Sequence, residues 1–541
     1  MSSTEAVGAP SETATSWGSR ALQWIEDVGD RLNPILVKET RQALKSRQFV
    51  SAFLLLLLAS WIASIFGVLW AGSSLEYGQA GRSFFAIFYF VLSVAALVVV
   101  PFGAFRSLLN ERDESTYELL SITALSPKQI VWGKLLSALV QVFLYYSAIA
   151  PFVAFASLLQ GFDFAQVSYL MVLLLVASLG YSMSALVLST LARQKHTQML
   201  MTLAMLGLAG WGFFTFVFAA IPGTMFVNFE DRDFWIGNAF ALVAFISYFI
   251  LFLQIATSQL TFDTDNRSTG IRLTMSGQFF LFWVCLLIGA WYYKSSPNSG
   301  DLQVFATMSA LHWLVGGIFA VTENDTLSRR IMRKRPRNRL LRILMAPFLP
   351  GGSRGFFYIL IHLLALWIIV SVVFPILAPP TATSFSGSRR VESPALFTGA
   401  LASYVIIYLG LAAFLGRVGQ SLAADMRPGH ARMIAILTGL FASFIPPMFR
   451  LFKWVETWEF SIVDIFNPYV TLATISRDGS MDFTVFTLLG LAALAIVVNL
   501  RAMVDELTEV VSYDPANPAG VPTGSFSVSP PTIEKNAPEP A

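Results

Sequence analysis

The sequence predicts an all-α, polytopic membrane protein of about twelve spans with both termini cytoplasmic, on three observations. The chain of 541 residues is 55% hydrophobic and only 13% charged, whereas soluble domains carry about 25% charged residues. Charge-free apolar runs recur at close to the twenty or so residues that a helix needs to cross a bilayer core of roughly 30 Å. Lys and Arg are spread unevenly between alternate connecting segments: one set holds 28 of the 36 basic residues, and basic residues are retained on the cytoplasmic side.

Residues 1–19 are polar and rich in Ser, Thr and Ala, so a disordered start without a signal peptide is expected, the first span acting as the insertion signal. Residues 20–48 hold two amphipathic stretches, RALQWIEDVGDRL and NPILVKETRQALKSRQ. In the second, Asn33 suits a helix cap and Pro34 the first helical position. Leu36, Val37, Thr40, Ala43 and Leu44 then share one face, and Lys38, Arg41, Gln42 and Lys45 the other. That pattern predicts a helix lying in the membrane interface; a soluble helix against a cytoplasmic partner is the alternative.

The runs fall near 49–70, 84–105, 135–159, 166–190, 198–221, 235–260, 276–293, 303–321, 357–378, 396–416, 433–449 and 484–500, and none contains Asp, Glu, Lys or Arg. Six make a first membrane unit, 49–260, with a polar segment at 106–134. Six make a second, 261–500, with a basic loop at 322–355 that carries nine Lys or Arg residues. The plain reading of that loop is a topological anchor against anionic lipid head groups; nucleic acid is not an expected partner. A diverged duplication is open, because GRVGQSLAADMRPGHARMIAIL in the second half matches the polar segment of the first poorly. The outer connection 450–483 mixes aromatics with charge, which suggests an interfacial helix, a gate or cap being the alternative. The Pro-rich residues 501–541 predict a disordered cytoplasmic tail.

The polar segment reads NERDESTYELLSITALSPKQIVWGKLLS from 110 to 137. Ser115 to Glu118 is a Ser-x-x-Glu capping box, with Glu111, Asp113 and Glu114 near the positive end of the helix that it starts. Ser126 to Gln129 repeats the arrangement as Ser-x-x-Gln with Pro127 at the first helical position, and this second helix should run through Gly133 and Lys134 into the third span. Two short stiff helices are predicted; they either serve a docked partner or simply satisfy backbone groups between spans.

This run resembles the signature of ABC transporter permeases of the type 2 exporter class. The matching residues are Glu111-Arg112, Thr116 to Leu120, Thr123, Leu125 to Pro127 and Ile130 to Leu136, while Ser115 and Ala124 stand where Gly and Pro are common. NPILVKETRQALKSR looks like the elbow helix of the same family, with Asn33, Pro34, Lys38, Arg41 and Lys45 as its residues. The resemblance implies a permease subunit of an ATP-driven exporter in a bacterial plasma membrane, working with a separate ATP-binding cassette ATPase subunit; pairing with a second copy or another permease chain is left open. It implies a coupling segment drawing on Glu111, Arg112, Glu114, Glu118, Ser126, Pro127 and Lys134.

Chemistry within the chain is not expected. Gly133-Lys134 lacks the flanking Gly and Ser/Thr of a phosphate-cradling loop, so ATP is expected on the partner and no cofactor on this chain. Cys285 stands alone in an apolar run. His312 and His362 fall inside spans and suit helix–helix hydrogen bonds, while His196 and His430 lie in loops. No carboxylate lies inside a span, which favours an external energy source over ion coupling. A secondary carrier using Gln141 or Gln254, and a membrane scaffold, remain the alternatives.

Overall fold

The computed structural model describes residues 33–71, 80–113, 125–159, 163–192, 195–226, 228–262, 264–294, 297–323, 327–333, 336, 338–377, 394–422, 428–451, 462–478 and 482–512. Every regular element among them is helical. The stretch 20–32, the 115–118 capping box, and residues 1–19 and 513–541 lie outside the described residues. The chain divides into two compact units, 1–261 and 262–541.

In the first unit a short elbow helix, α1 (Pro34–Leu44), precedes the first long helix, α2 (Arg47–Ala71). Asn33 caps α1 by accepting from the Ile35 amide, and Pro34 fills the first helical position, where a missing N–H costs nothing. The second span is α3 (Ala80–Val94) and α4 (Val100–Asp113), joined by a π-helical turn, Ala95–Val99. A π turn misaligns backbone bonding; here the Ser178 hydroxyl donates to the Ala96 carbonyl at 2.6 Å. The long helices α5 (Pro127–Leu158), α6 (Phe164–Leu191), α7 (Lys195–Phe226) and α8 (Arg232–Leu260) complete the unit. Its core is aromatic: Phe84, Phe85, Phe88, Tyr89 and Leu92 of α3 pack with Tyr145 and Ile149 of α5 and Leu170 and Leu174 of α6. The Ser126 capping box starts α5 as its spacing predicts: Ser126 Oγ accepts from the Gln129 amide, and Gln129 reaches back to the Ser126 amide.

The second unit begins with α9 (Thr269–Tyr293) and α10 (Ser299–Val321). Two short helices, α11 (Arg329–Arg333) and α12 (Arg339–Met345), lead to the next span. That span is α13 (Gly352–Ile368), a π turn at Ile369–Val373, and α14 (Phe374–Leu377). Then come α15 (Pro394–Leu422), α16 (Pro428–Leu451), α17 (Pro468–Asp478) and α18 (Asp482–Ser512). Close helix approach depends on small residues, as is usual where lipid removes the hydrophobic drive between helices. A Cβ on Gly355 of α13 would sit 2.2 Å from the Ala320 carbonyl oxygen of α10, and one on Gly410 of α15 would sit 3.0 Å from Ala495 Cβ of α18.

Eleven of the described helices are long and apolar enough to cross a membrane. The chain is thus an all-α polytopic membrane protein. The run at 433–449 falls in α16, a helix of 24 residues that includes the apolar stretch Gly429–Phe444. One correction concerns the tail. Residues 501–512 extend α18 rather than belonging to a disordered segment, because Leu507 and Val510 pack against Ile331, Ala346 and Leu349. In the 450–483 connection, Tyr404 and Tyr408 of α15 donate to the carbonyls of Ile465 and Phe466, fixing the 3-10 turn Ile462–Phe466 ahead of α17.

Candidate functional site: two buried charge networks

In the first unit the site forms where α1 crosses the start of α5. A Cβ on Gly133 would lie 2.8 Å from Cβ and Cγ2 of Ile35, so a glycine is what admits the elbow helix this closely. Asn33 Nδ2 donates to the Gln129 carbonyl at 2.6 Å, tying the cap of one helix to the first turn of the other. One turn beyond Ile35, Glu39 faces the same way, and both are buried.

Glu39 points at Lys134, whose side chain is almost fully enclosed. Lys134 Nζ lies 2.9 Å from Glu39 Oε1, 3.0 Å from Glu111 Oε2 at the end of α4, and 3.4 Å from Ser107 Oγ. Lys38 Nζ approaches the other Glu111 oxygen at 3.2 Å from the exposed side. Two ammonium groups thus balance two carboxylates. Such balance is required, because an uncompensated buried charge is far more costly than a paired one. Burial, only partly offset by Lys134, raises the Glu39 carboxyl above its ordinary range. The arrangement fastens the elbow, the end of the second span and the start of the third to one another through side chains.

The residues expected to meet a partner separate accordingly. Glu111 is buried in this network and presents no outward charge, a correction forced by the need to neutralise Lys134. Lys134 is likewise interior, and Ser126 and Pro127 serve the start of α5. Arg112 lies in the last turn of α4, and Glu114 and Glu118 lie outside the described residues. On the elbow, Lys38, Arg41 and Lys45 are exposed as expected, but the inward ridge is Ile35 and Glu39, neither of which was assigned to the apolar face. The signal was present: Glu39 stands one helical turn from Ile35 in an otherwise basic helix, and Lys134 is the last charge before a long apolar run.

The second unit carries a network of a different kind. Arg272, in the first turn of α9, donates from Nη1 to the carbonyls of Pro347 and Leu349, each at 2.7 Å. Its Nη2 reaches Glu323 Oε2 at 2.6 Å and the Gly351 carbonyl at 3.0 Å. Glu323 also accepts from the Ser268 hydroxyl. Arg354, in the first turn of α13, donates to the Pro350 carbonyl and, at 2.9 Å, to the Glu506 carbonyl of α18. The Glu506 carboxylate accepts from the amides of Ser353 and Arg354 at 3.2 and 3.1 Å, capping α13 where the helix dipole favours an anion. Gly351 precedes that helix with φ 135°, in the region that glycine alone enters readily. The second half of the basic loop is thereby strapped down rather than left as a loose anchor.

Three polar side chains singled out within spans meet backbone carbonyls. His312 Nε2 lies 3.3 Å from the Met275 carbonyl of α9, and His362 Nδ1 lies 2.8 Å from the Tyr358 carbonyl of its own helix. Gln141 donates to the Ser137 carbonyl one turn back. Comparisons with protein-family models, with curated proteins and with solved structures return no match to this chain.

Proposed function

We propose that the chain is the membrane-spanning permease subunit of an ATP-driven exporter in a bacterial plasma membrane, moved by a separate ATPase subunit that docks on the segment between α4 and α5. The observation that carries this reading is the double attachment of that segment. Its upstream end leads from Glu111 and its downstream end into Lys134, and both residues are fastened to each other and to the elbow helix. A push on residues 114–124 would therefore reach the second span, the third span and, through α1, the first. The capping boxes and the resemblance of residues 111–136 to type 2 exporter permeases support the same reading, as does the absence of carboxylates from the midspan positions predicted from sequence.

The test is co-purification of the full-length protein with a candidate ATP-binding cassette ATPase. Glu118→Lys should weaken the complex about tenfold, as expected for reversing one interface charge, while membrane insertion stays intact. Unchanged association and unchanged stimulation of the ATPase would overturn the coupling assignment. Transport driven by an ion gradient in proteoliposomes without ATP would instead establish a secondary carrier.

A further inference from the structure

The π turns of the two units are not equivalent. In each, a backbone bond spans five residues: the Val100 amide donates to the Ala95 carbonyl in the first, and the Phe374 amide to the Ile369 carbonyl in the second. A fully buried serine from another helix, Ser178, donates to the Ala96 carbonyl of the first turn at 2.6 Å. The second turn carries a serine of its own, Ser371, whose hydroxyl is enclosed and has no partner among the described residues. Span serines elsewhere in the same unit donate to the carbonyl four residues back: Ser276 to Arg272, Ser309 to Phe305, Ser403 to Gly399 and Ser443 to Gly439, at 2.8 or 2.9 Å. For Ser371 that acceptor is the Trp367 carbonyl, and the widened turn takes it out of reach. Thr398 Oγ1 of α15, the helix packed on this turn, is likewise enclosed without a partner among the described residues, so the two hydroxyls do not bond each other.

An enclosed hydroxyl without a partner disfavours the state that contains it. What holds the turn open lies on the same segment. Phe374, the residue after the turn, is buried and meets the Trp283 ring of α9 edge-on, with centroids 5.5 Å apart. Closing the turn to α-helical register would rotate the chain beyond it by about 100°, one residue of an α-helix. Ser371 would then reach the Trp367 carbonyl, and Phe374 would leave Trp283. Little on α14 resists that rotation. Pro375 has no N–H, so no backbone bond is lost there in either register, and Ile376 and Leu377 are exposed. In lipid a phenyl ring that leaves the interior gives up packing but does not meet water.

We propose that Ile369–Val373 is a two-state hinge in which the hydrogen bond of Ser371 and the burial of Phe374 exclude each other. In one state the turn is π-helical and Phe374 packs on Trp283. In the other the span is α-helical to its end, Ser371 is bonded, and α14 presents a different face. A hydroxyl bond and an aromatic contact are of comparable strength, which is what a two-state element requires. The turn of the first unit lacks this competition, because Ser178 already gives it a partner in the π-helical state. Neither the permease reading nor the docking of an ATPase is needed for the hinge.

Thermal unfolding of the full-length protein in detergent tests the hinge through a change of sign. Ser371→Ala alone removes an unpartnered hydroxyl and should raise the unfolding midpoint by about 2 °C. Phe374→Ala releases the contact with Trp283 and favours the closed register; in that background Ser371→Ala removes a made bond and should lower the midpoint by a similar amount. Spin labels on Leu377→Cys and Phe483→Cys, with Cys285→Ala to remove the chain's one cysteine, follow the rotation. Phe374→Ala should move their distance distribution, and adding Ser371→Ala should move it back. Should Phe374→Ala fail to fold, Phe374→Leu carries both measurements. A midpoint lowered by Ser371→Ala alone, the same sign in both backgrounds, or a distance distribution that the Phe374 variant leaves unchanged would each overturn the proposal.

Discussion

The two units solve one physical problem with different cations. Each must hold a loop and several helix ends together beside an apolar interior, and each buries a basic side chain to do so. In the first unit Lys134 is a point charge set between two carboxylates, and its ammonium bonds to side chains. In the second, Arg272 and Arg354 fork onto the carbonyls of Pro347, Leu349, Pro350, Gly351 and Glu506 as well as onto carboxylates. Ammonium gives compact, reorientable donors, whereas guanidinium presents a rigid planar set. A shift of the elbow would therefore let the first network regroup, because its charges can exchange partners. The second holds backbone geometry, and any movement leaves buried carbonyls unbonded. A moving element and a fixed strap are the roles this difference suits.

Arg272→Ala should produce the largest effect, about 3–5 kcal/mol of destabilisation, because it strands Glu323 and three carbonyls together. Arg272→Lys should recover little, since one ammonium cannot span the same acceptors; thermal unfolding in detergent measures both. Lys134→Met should be nearly as harmful alone but markedly relieved by pairing it with Glu39→Gln, and the absence of that rescue would refute the contrast between the networks. Next come the glycines. Gly355→Ala meets the Ala320 backbone and should cost more than Gly133→Ala, which meets the Ile35 side chain, both within about 1–3 kcal/mol. Hydrogen exchange should show the Gly133 variant loosening α1 in particular.

The smallest effect is a pH dependence carried by Glu39 of the first unit. A carboxyl whose pKa is raised on folding, as Glu39's is by burial, contributes stability that is complete below its unfolded value and is lost as pH rises through its folded value. Lowering the pH from neutrality towards the carboxylate range should therefore firm the elbow through this residue, and Glu39→Gln should flatten that part of the profile. Unfolding midpoints of both proteins across about pH 5 to 8 test it.

Much of the architecture was legible because spans, caps and prolines act locally. The cap at Asn33, the box at Ser126 and Gln129, and the apolar runs all became elements near their expected bounds. The networks were less legible. A search for charge-free runs ends each span just short of Lys134, Arg272 and Arg354, which the helices in fact include because partners distant in sequence neutralise them. Glu39 lies 95 residues from Lys134, and no periodicity along the chain links them. Glu111 was read as an outward charge for the same reason, and residues 501–512 as tail because Glu506 gains its purpose only against the first turn of α13.

By itself, the sequence determined that this chain crosses a membrane many times as helices, where helices start, and that a polar segment separates the second span from the third. Those outcomes rest on burial, backbone satisfaction and capping, which neighbouring residues decide among themselves. Only the tertiary structure decided which charges are interior, that a glycine admits the elbow, and that two arginines strap the basic loop. A buried charge is tolerated only when its counter-charge arrives from elsewhere in the fold, and that meeting is a property of the packed molecule.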